Sequence, residues 1–240
     1  MKKTIILVAL MMTQATVADT VLGFYAGVSN WQHDMAGNIN SDISSSDRVD
    51  IDFDNGGNIF YAALEHPVPF LPNIKIQQND VQAEGLINIS DVAAFPGQSV
   101  DVIGDIDFSH VDMMLYYEVL DNWINLDLGL SFKYFDGYSD FNYQELLDDR
   151  SDFDDVIPML YGKGQVDLPL TGFSVYGSVE ALSFDSNDVT DFEVGVNYES
   201  KMGLGGVIGY RALSVDLVNI GDLTSDLEID GFFAGINFHF

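Results

Sequence analysis

Carboxylates dominate the chemistry open to this chain. Against 9 Lys and Arg stand 38 Asp and Glu, a formal net charge of −29, and the acids come in groups. Asp148, Asp149, Asp152, Asp154 and Asp155 crowd one short stretch, with Arg150 as the counter-charge among them. Asp101, Asp105 and Asp107 form a second group, and Asp185, Asp188 and Asp191 a third. Carboxylates this dense raise one another's pKa unless cations collect there, and hard divalent ions prefer oxygen ligands. The first group is therefore expected to bind Ca²⁺ or Mg²⁺ weakly, helping to bridge surface lipopolysaccharide; the alternative is a merely solvated acidic loop. Asp50-Ile51-Asp52-Phe53-Asp54-Asn55-Gly56 looks like a calcium loop but fails on count. With Asp50 at the first position, Asn55 stands where Gly is needed and Tyr61 where Glu is needed. Val49, Ile51 and Phe53 read better as the lipid face of a strand.

Catalytic arrangements are not evident. Ser109 and His110 are adjacent, so on a strand they point to opposite faces and cannot pair directly. No Asp stands two residues before His33, His66, His110 or His239, so the Asp-x-His of omptin-like proteases is missing. The expectation is no enzymatic activity and no cofactor beyond weakly held Ca²⁺ or Mg²⁺. Without Cys there is no disulfide, thiolate metal site or acylation site. The acidity should repel nucleic acid and favour cations or basic ligands.

Both ends speak to what must position these groups. Lys2 and Lys3, the apolar run Thr4 to Met12 and Thr16-Val17-Ala18 form a signal peptide over 1–18, leaving 19–240 as one domain. Beyond residue 18 no run of about 18 apolar residues occurs, so no transmembrane helix is available, and only a closed barrel can then span lipid. At the other end Phe232, Ala234, Ile236, Phe238 and Phe240 fall on one face of a final strand. It resembles the terminal strand of bacterial outer-membrane barrels, which the assembly machinery reads; Phe232, Ile236, Phe238 and Phe240 are the candidate signal. The expected location is the outer membrane, with its lipid, its lipopolysaccharide and the barrel-assembly machinery as partners.

Between the ends, alternating stretches are separated by polar or Gly/Pro clusters, the signature of membrane strands. Val111, Met113, Leu115, Tyr117 and Val119 alternate with Asp112, Met114, Tyr116 and Glu118, and Leu126 to Tyr134 and Phe192 to Tyr198 alternate in the same way. A charge on the lipid face costs roughly 2–4 kcal/mol at the midplane for Lys or Arg. Asp112, Glu118, Asp127, Lys133, Lys163, Glu180, Glu193 and Arg211 are therefore placed in the lumen. Short connections at 65–73, 121–122, 168–172 and 200–203 suit the periplasmic side. Longer ones at 32–47, 90–102, 139–154 and 219–226, with a shorter one near 186–190, suit the outside. Threading strands between them gives an all-β, antiparallel up-and-down transmembrane barrel of about ten strands, with eight and twelve as alternatives. Apolar parity changes across Gly56-Gly57, from Val49, Ile51 and Phe53 to Phe60, Ala62 and Leu64, which suggests a bulge. Trp31, Trp123, Tyr25, Tyr134, Tyr138, Tyr198 and Phe240 fall near expected strand ends, as aromatic girdles would.

Glu65-His66-Pro67-Val68-Pro69-Phe70-Leu71-Pro72-Asn73 is the least generic segment. Its prolines make a stiff connection rather than a strand, either a plain turn or a docking site for a periplasmic partner. With Gly56-Gly57 it resembles a family of uncharacterised Gram-negative outer-membrane β-barrel proteins described by a Gly-Gly feature. The resemblance implies compartment and architecture and brings no activity or site residue. The function expected is a narrow cation-preferring pore or small-solute channel, since acidic rings select cations. The alternative is a non-conducting structural or adhesive barrel whose acidic loops bind cations or partners.

Overall fold

The computed structural model describes residues 22–41, 44, 48–89, 92, 97–143, 147–185, 187–220 and 223–240. The expected signal peptide lies outside them. Twelve strands follow one another: β1 (Gly23–Asn40), β2 (Arg48–Glu65), β3 (Asn73–Asn79), β4 (Gln82–Ile89), β5 (Val100–Asp107), β6 (His110–Leu120), β7 (Ile124–Tyr143), β8 (Leu147–Leu168), β9 (Phe173–Phe184), β10 (Asn187–Glu199), β11 (Leu204–Ile220) and β12 (Leu223–His239). All pairings are antiparallel, and β12 closes on β1. β3 and β4 are two parts of one stave, as are β5 and β6; β3 pairs with β6 and β4 with β5. The fold is thus a closed barrel of ten staves.

The two interrupted staves break side by side. Phe108 N–H donates to the Val81 carbonyl (2.8 Å), Val81 N–H to Ser109 Oγ (3.0 Å) and Ser109 N–H to Asp107 Oδ1 (2.8 Å). Backbone groups lost to the ladder are so satisfied locally. Gly57 makes room for the break, since a Cβ there would stand 1.8 Å from the Asp80 carbonyl oxygen. The expected bulge at Gly56-Gly57 does not occur: the β1–β2 register runs unbroken from Asn40↔Arg48 to Gly23↔Glu65. What changes there is polarity.

Along β2 the odd-numbered side chains point inward, except that Asn55, beside the break in the neighbouring stave, is exposed and donates to the Gln82 carbonyl. Val49, Ile51 and Phe53 are buried in the core, as are Ile59 and Ala63, while Asp50, Asp52 and Asp54 are exposed and Phe60 is half exposed. The placement of Val49, Ile51 and Phe53 on the lipid face is therefore overturned. The same swap occurs on β7, where Lys133 in and Tyr134 out give way to Phe135 in and Asp136 out. It recurs on β12, where outward Phe232 is followed upward by Asp230. Where the wall faces lipid, apolar residues point out; where it faces water, the hydrophobic effect turns them in. Parity stays fixed, so the acids move outside.

The barrel accordingly has two halves. Near the termini lie the short connections 66–72, 121–123, 169–172 and 200–203. Above them runs an outer band of exposed apolar side chains that includes Ile76, Leu128, Leu160, Ile208 and Ile236. Trp123 and Tyr198 sit at the turn edge of that band and Tyr134 at its upper edge. Trp31 does not belong to a girdle: it is fully buried inside, and Tyr25 stacks on His239 at 4.1 Å. The tall half is built from segments read as loops. Residues 32–40, 139–143, 147–154, 219–220 and 223–226 are strand, as are Val100 to Val102 and 187–190, and their Asp, Asn, Ser and Gly residues gave them a loop-like composition.

In the tall half the wall divides. β2 pairs with β3 only over Ile59 to Leu64, and β8 with β9 only over Leu160 to Leu168. Above those points β4, β5, upper β7 and upper β8 form one sheet, and upper β2, β1, β12, β11 and β10 the other. The two sheets enclose an apolar core with Met35, Phe53, Ile106, Phe141 and Leu213 at its centre, as in a sandwich. Ser41 Oγ donates to Asp149 Oδ2 and joins the two rims.

Candidate functional site

Where the polarity reverses, a layer of ionic side chains crosses the barrel interior. Arg211 on β11 grips Asp191 on β10 through two bonds, Nε to Oδ1 at 2.9 Å and Nη2 to Oδ2 at 2.6 Å. Its third arm donates from Nη1 to Asn79 Oδ1 at 2.6 Å. Lys133 on β7 donates to Asp112 Oδ1 (2.7 Å) and Asp191 Oδ2 (2.9 Å). Asn79 Nδ2 donates to Asp112 Oδ2 at 2.8 Å. Two cations thus balance two carboxylates, and Glu180 approaches Lys133 to 4.0 Å. Bidentate, charge-assisted bonds of this kind are the strong ones, and Arg211, Lys133 and Asp112 are 1%, 0% and 0% exposed. Trp31 lies over the Arg211 guanidinium at 4.9 Å, and the His110 ring packs on Phe135 at 5.0 Å, so aromatic rings cap the layer from the apolar side.

His110, Asp112 and Asp191 bring ligand atoms within 4.8 Å of one another, a grouping that could hold a metal. Their carboxylates already serve Lys133 and Arg211, and a divalent cation would upset the charge balance; the set does not fit a metal centre. His110 Nδ1 donates to the Phe108 carbonyl at 2.9 Å, while Ser109 Oγ accepts from Val81, so serine and histidine do not meet.

The structure places Asp112, Lys133, Glu180 and Arg211 in this layer. Asp127, Lys163, Glu193 and Glu118 lie nearer the turns. Asp127 stands opposite Lys163 in the ladder. Tyr176 Oη donates to Glu193 Oε1, and Asn73 Nδ2 donates to Glu118 Oε2 at 3.2 Å. Asp191, grouped with the loop acids from sequence, is a buried member of the layer. Alternation would have found it, because it shares the parity of Glu193 two residues on. His110 likewise shares the face of Asp112, and only Asn79 and Trp31 gave no charged signal.

The acidic group at 148–155 does not converge. Asp152 and Asp154 face outward, whereas Asp149 and Asp155 take the inward parity, and alternate strand residues cannot gather round one ion. The side chain of Asp148 lies outside the described residues. Arg150 pairs with Asp152 at 2.8 Å and lies over the Tyr138 ring at 3.9 Å.

On the outer face of the tall half the acids line up across strands instead. Asp34 stands directly opposite both Asp54 and Asp230, and Asp216 opposite both Asp188 and Asp226. Like charges opposite one another destabilise a sheet. Partial desolvation, then Asp54 and Asp230, push the Asp34 carboxyl above its ordinary range. On the terminal strand Phe232 and Ile236 are exposed on the outer band, and Phe238 and Phe240 stack at 6.4 Å.

No protein-family model matches the chain, and no curated protein does. The likeness drawn from Gly56-Gly57 and residues 65–73 therefore assigns no family. Among solved structures the chain resembles the outer membrane protease OmpT from Escherichia coli, with 12% identity over 91% of this chain and 97% of that one, TM-score 0.53. Weaker likenesses are to Ail, the attachment invasion locus protein of Yersinia pestis (9% identity, 92% and 100% covered, TM-score 0.41), and to Neisserial surface protein A (9%, 90% and 97%, 0.37). At 12% identity the likeness to OmpT shows the fold alone, that of an outer-membrane β-barrel.

Proposed function

We propose that this protein is a non-conducting outer-membrane barrel without catalytic activity that displays an acidic β-sandwich on the cell surface to cationic partners. The occupied interior carries the reading. A narrow cation pore needs a continuous water path, whereas here a charge-balanced layer fills the section at Arg211 and Lys133, and a packed apolar core continues above it. Barrels near eight strands are commonly filled by side chains. The acidic rows on the outer face of the tall half support a role in holding cations or basic surfaces, since a sheet that keeps like charges opposite one another gains when they are neutralised.

Planar-bilayer recording of the refolded protein in a KCl gradient tests this. Protein that is folded by heat-modifiable mobility should give no discrete conductance steps. Steps with a cation-selective reversal potential would restore the channel reading. On the same protein, Ca²⁺ or a polycationic surface should be retained, and variants neutralised at Asp34, Asp54 and Asp230 should retain less.

A further inference from the structure

We propose that the free edge of upper β8 is a docking site for an extended polypeptide segment with basic residues at alternate positions, added as a further strand. The inference deepens the surface-display reading by naming a partner, and it rests on that reading.

The direction of the backbone groups follows from one bond and the register. Asp167 N–H donates to the Trp123 carbonyl at 2.9 Å, and β7 and β8 pair without a slip from Ile124↔Val166 to Tyr143↔Leu147. Odd residues of β8 therefore spend their N–H and C=O groups on β7, and even residues direct theirs to the other side. Over Leu160 to Leu168 those even groups serve β9. The next even residue is Pro158, which has no N–H, and the ladder stops at Leu160↔Ala181. Beyond it Val156, Asp154, Asp152 and Arg150 present backbone groups to no strand among the described residues. An unpaired edge is a template for another strand.

The same four residues point their side chains outward, so an added strand would set alternate side chains beside them. Lys or Arg would lie next to Asp152 and Asp154, and an apolar residue next to Val156, which is 55% exposed. Arg150 lies over Tyr138 on β7 and pairs with Asp152 at 2.8 Å, so a basic side chain added beside Asp152 would share that carboxylate with it. A second copy of the chain is a poor occupant. Two barrels in one membrane share an axis along its normal, so their β8 strands run the same way up and cross at twice the tilt of about 35–45°. Their acidic edges would also repel.

The test is amide hydrogen exchange, read by NMR on the full barrel in micelles, with a capped nine-residue peptide alternating Lys and Thr. At saturation the amides of Asp152, Asp154 and Val156 should exchange at least tenfold more slowly, while Phe153 and Asp155, already bonded to β7, change little. A Glu-for-Lys peptide, and a Lys peptide N-methylated at alternate residues, should give no protection. Val156→Pro removes an edge amide and neither carboxylate, and should abolish binding while the barrel stays heat-modifiable. Absence of protection overturns the proposal, and so does equal binding of the methylated peptide, which would mean charge attraction alone. Either failure leaves the bilayer result standing, whereas a conducting barrel would sink the display reading whatever the exchange shows.

Discussion

Replacing Arg211 by Met should be costly alone and nearly harmless in the right company. In the intact layer Arg211 and Lys133 balance Asp112 and Asp191, and Arg211 supplies two of the four short bonds from those cations to the two carboxylates. Removing it leaves two carboxylates on one lysine in a site closed to water. Breaking a buried pair in this way costs about 3–5 kcal/mol. Asp191→Asn alone leaves Arg211 without its bidentate partner and Lys133 with Asp112 and, at 4.0 Å, Glu180, again at a cost. The double variant Arg211→Met/Asp191→Asn keeps Lys133 with Asp112 at 2.7 Å and restores neutrality. A coupling of about 2–3 kcal/mol is therefore expected between the two sites. Denaturant unfolding in phospholipid vesicles measures it, with tryptophan fluorescence as the signal. Trp31 lies over Arg211, and Trp123 sits exposed near the turns, which makes the probe local to the layer. Additivity within about 0.5 kcal/mol would refute the reasoning, because charges that do not feel one another's loss are solvated by water in an open lumen.

Three further outcomes follow from the same structure. Phe53→Ala should cost about 3–5 kcal/mol as a core cavity, and Phe60→Ala on the outer band less; equal losses in vesicle unfolding would contradict the inward placement of Phe53. Gly57→Ala drives a Cβ against the Asp80 carbonyl and should cost about 1–3 kcal/mol, with the exchange of amides 80–82 rising most. His33 is buried in the tall half with neither ring nitrogen hydrogen-bonded among the described residues, and burial, then Arg211, lowers its pKa to about 4. The unfolded chain takes up this proton near pH 6.5 and the folded one only near 4, so stability should fall across that window as pH drops, by roughly 3 kcal/mol at most. His33→Phe should flatten that part of the pH curve; an unchanged curve would remove His33 from the explanation.

Much of the membrane half was legible because lipid leaves a strong mark. A charge cannot face the bilayer, so Asp112 between Val111 and Met113, or Lys133 between Phe132 and Tyr134, declares its side. The four tight connections were legible for a similar reason, each marked by Pro, Gly or Asn. The tall half misled because period 2 carries no sign. Val49-Asp50-Ile51-Asp52-Phe53 has the same alternation whether the apolar set meets lipid or a core, and only what lies outside the wall decides. The parity change at Gly56-Gly57 was the clue. It marked the exit from the membrane, and a bulge was the wrong explanation of a correct observation. The composition of the ionic layer was half visible: its charged members lie in alternating strands, but Asn79 and Trp31 are brought to Arg211 by the closure of β12 on β1 and by the broken stave, which no local pattern encodes.

The most direct measurement of that polarity reversal is a spin-label accessibility scan along β2, one site at a time from residue 49 to residue 64, in reconstituted vesicles. Labels at even positions should be reached by a polar nickel chelate from 50 to 58 and by oxygen from the lipid from 60 to 64, while odd positions other than the exposed Asn55 should be shielded from both. Oxygen reaching 49, 51 and 53 would place those residues in lipid and contradict the two-part barrel.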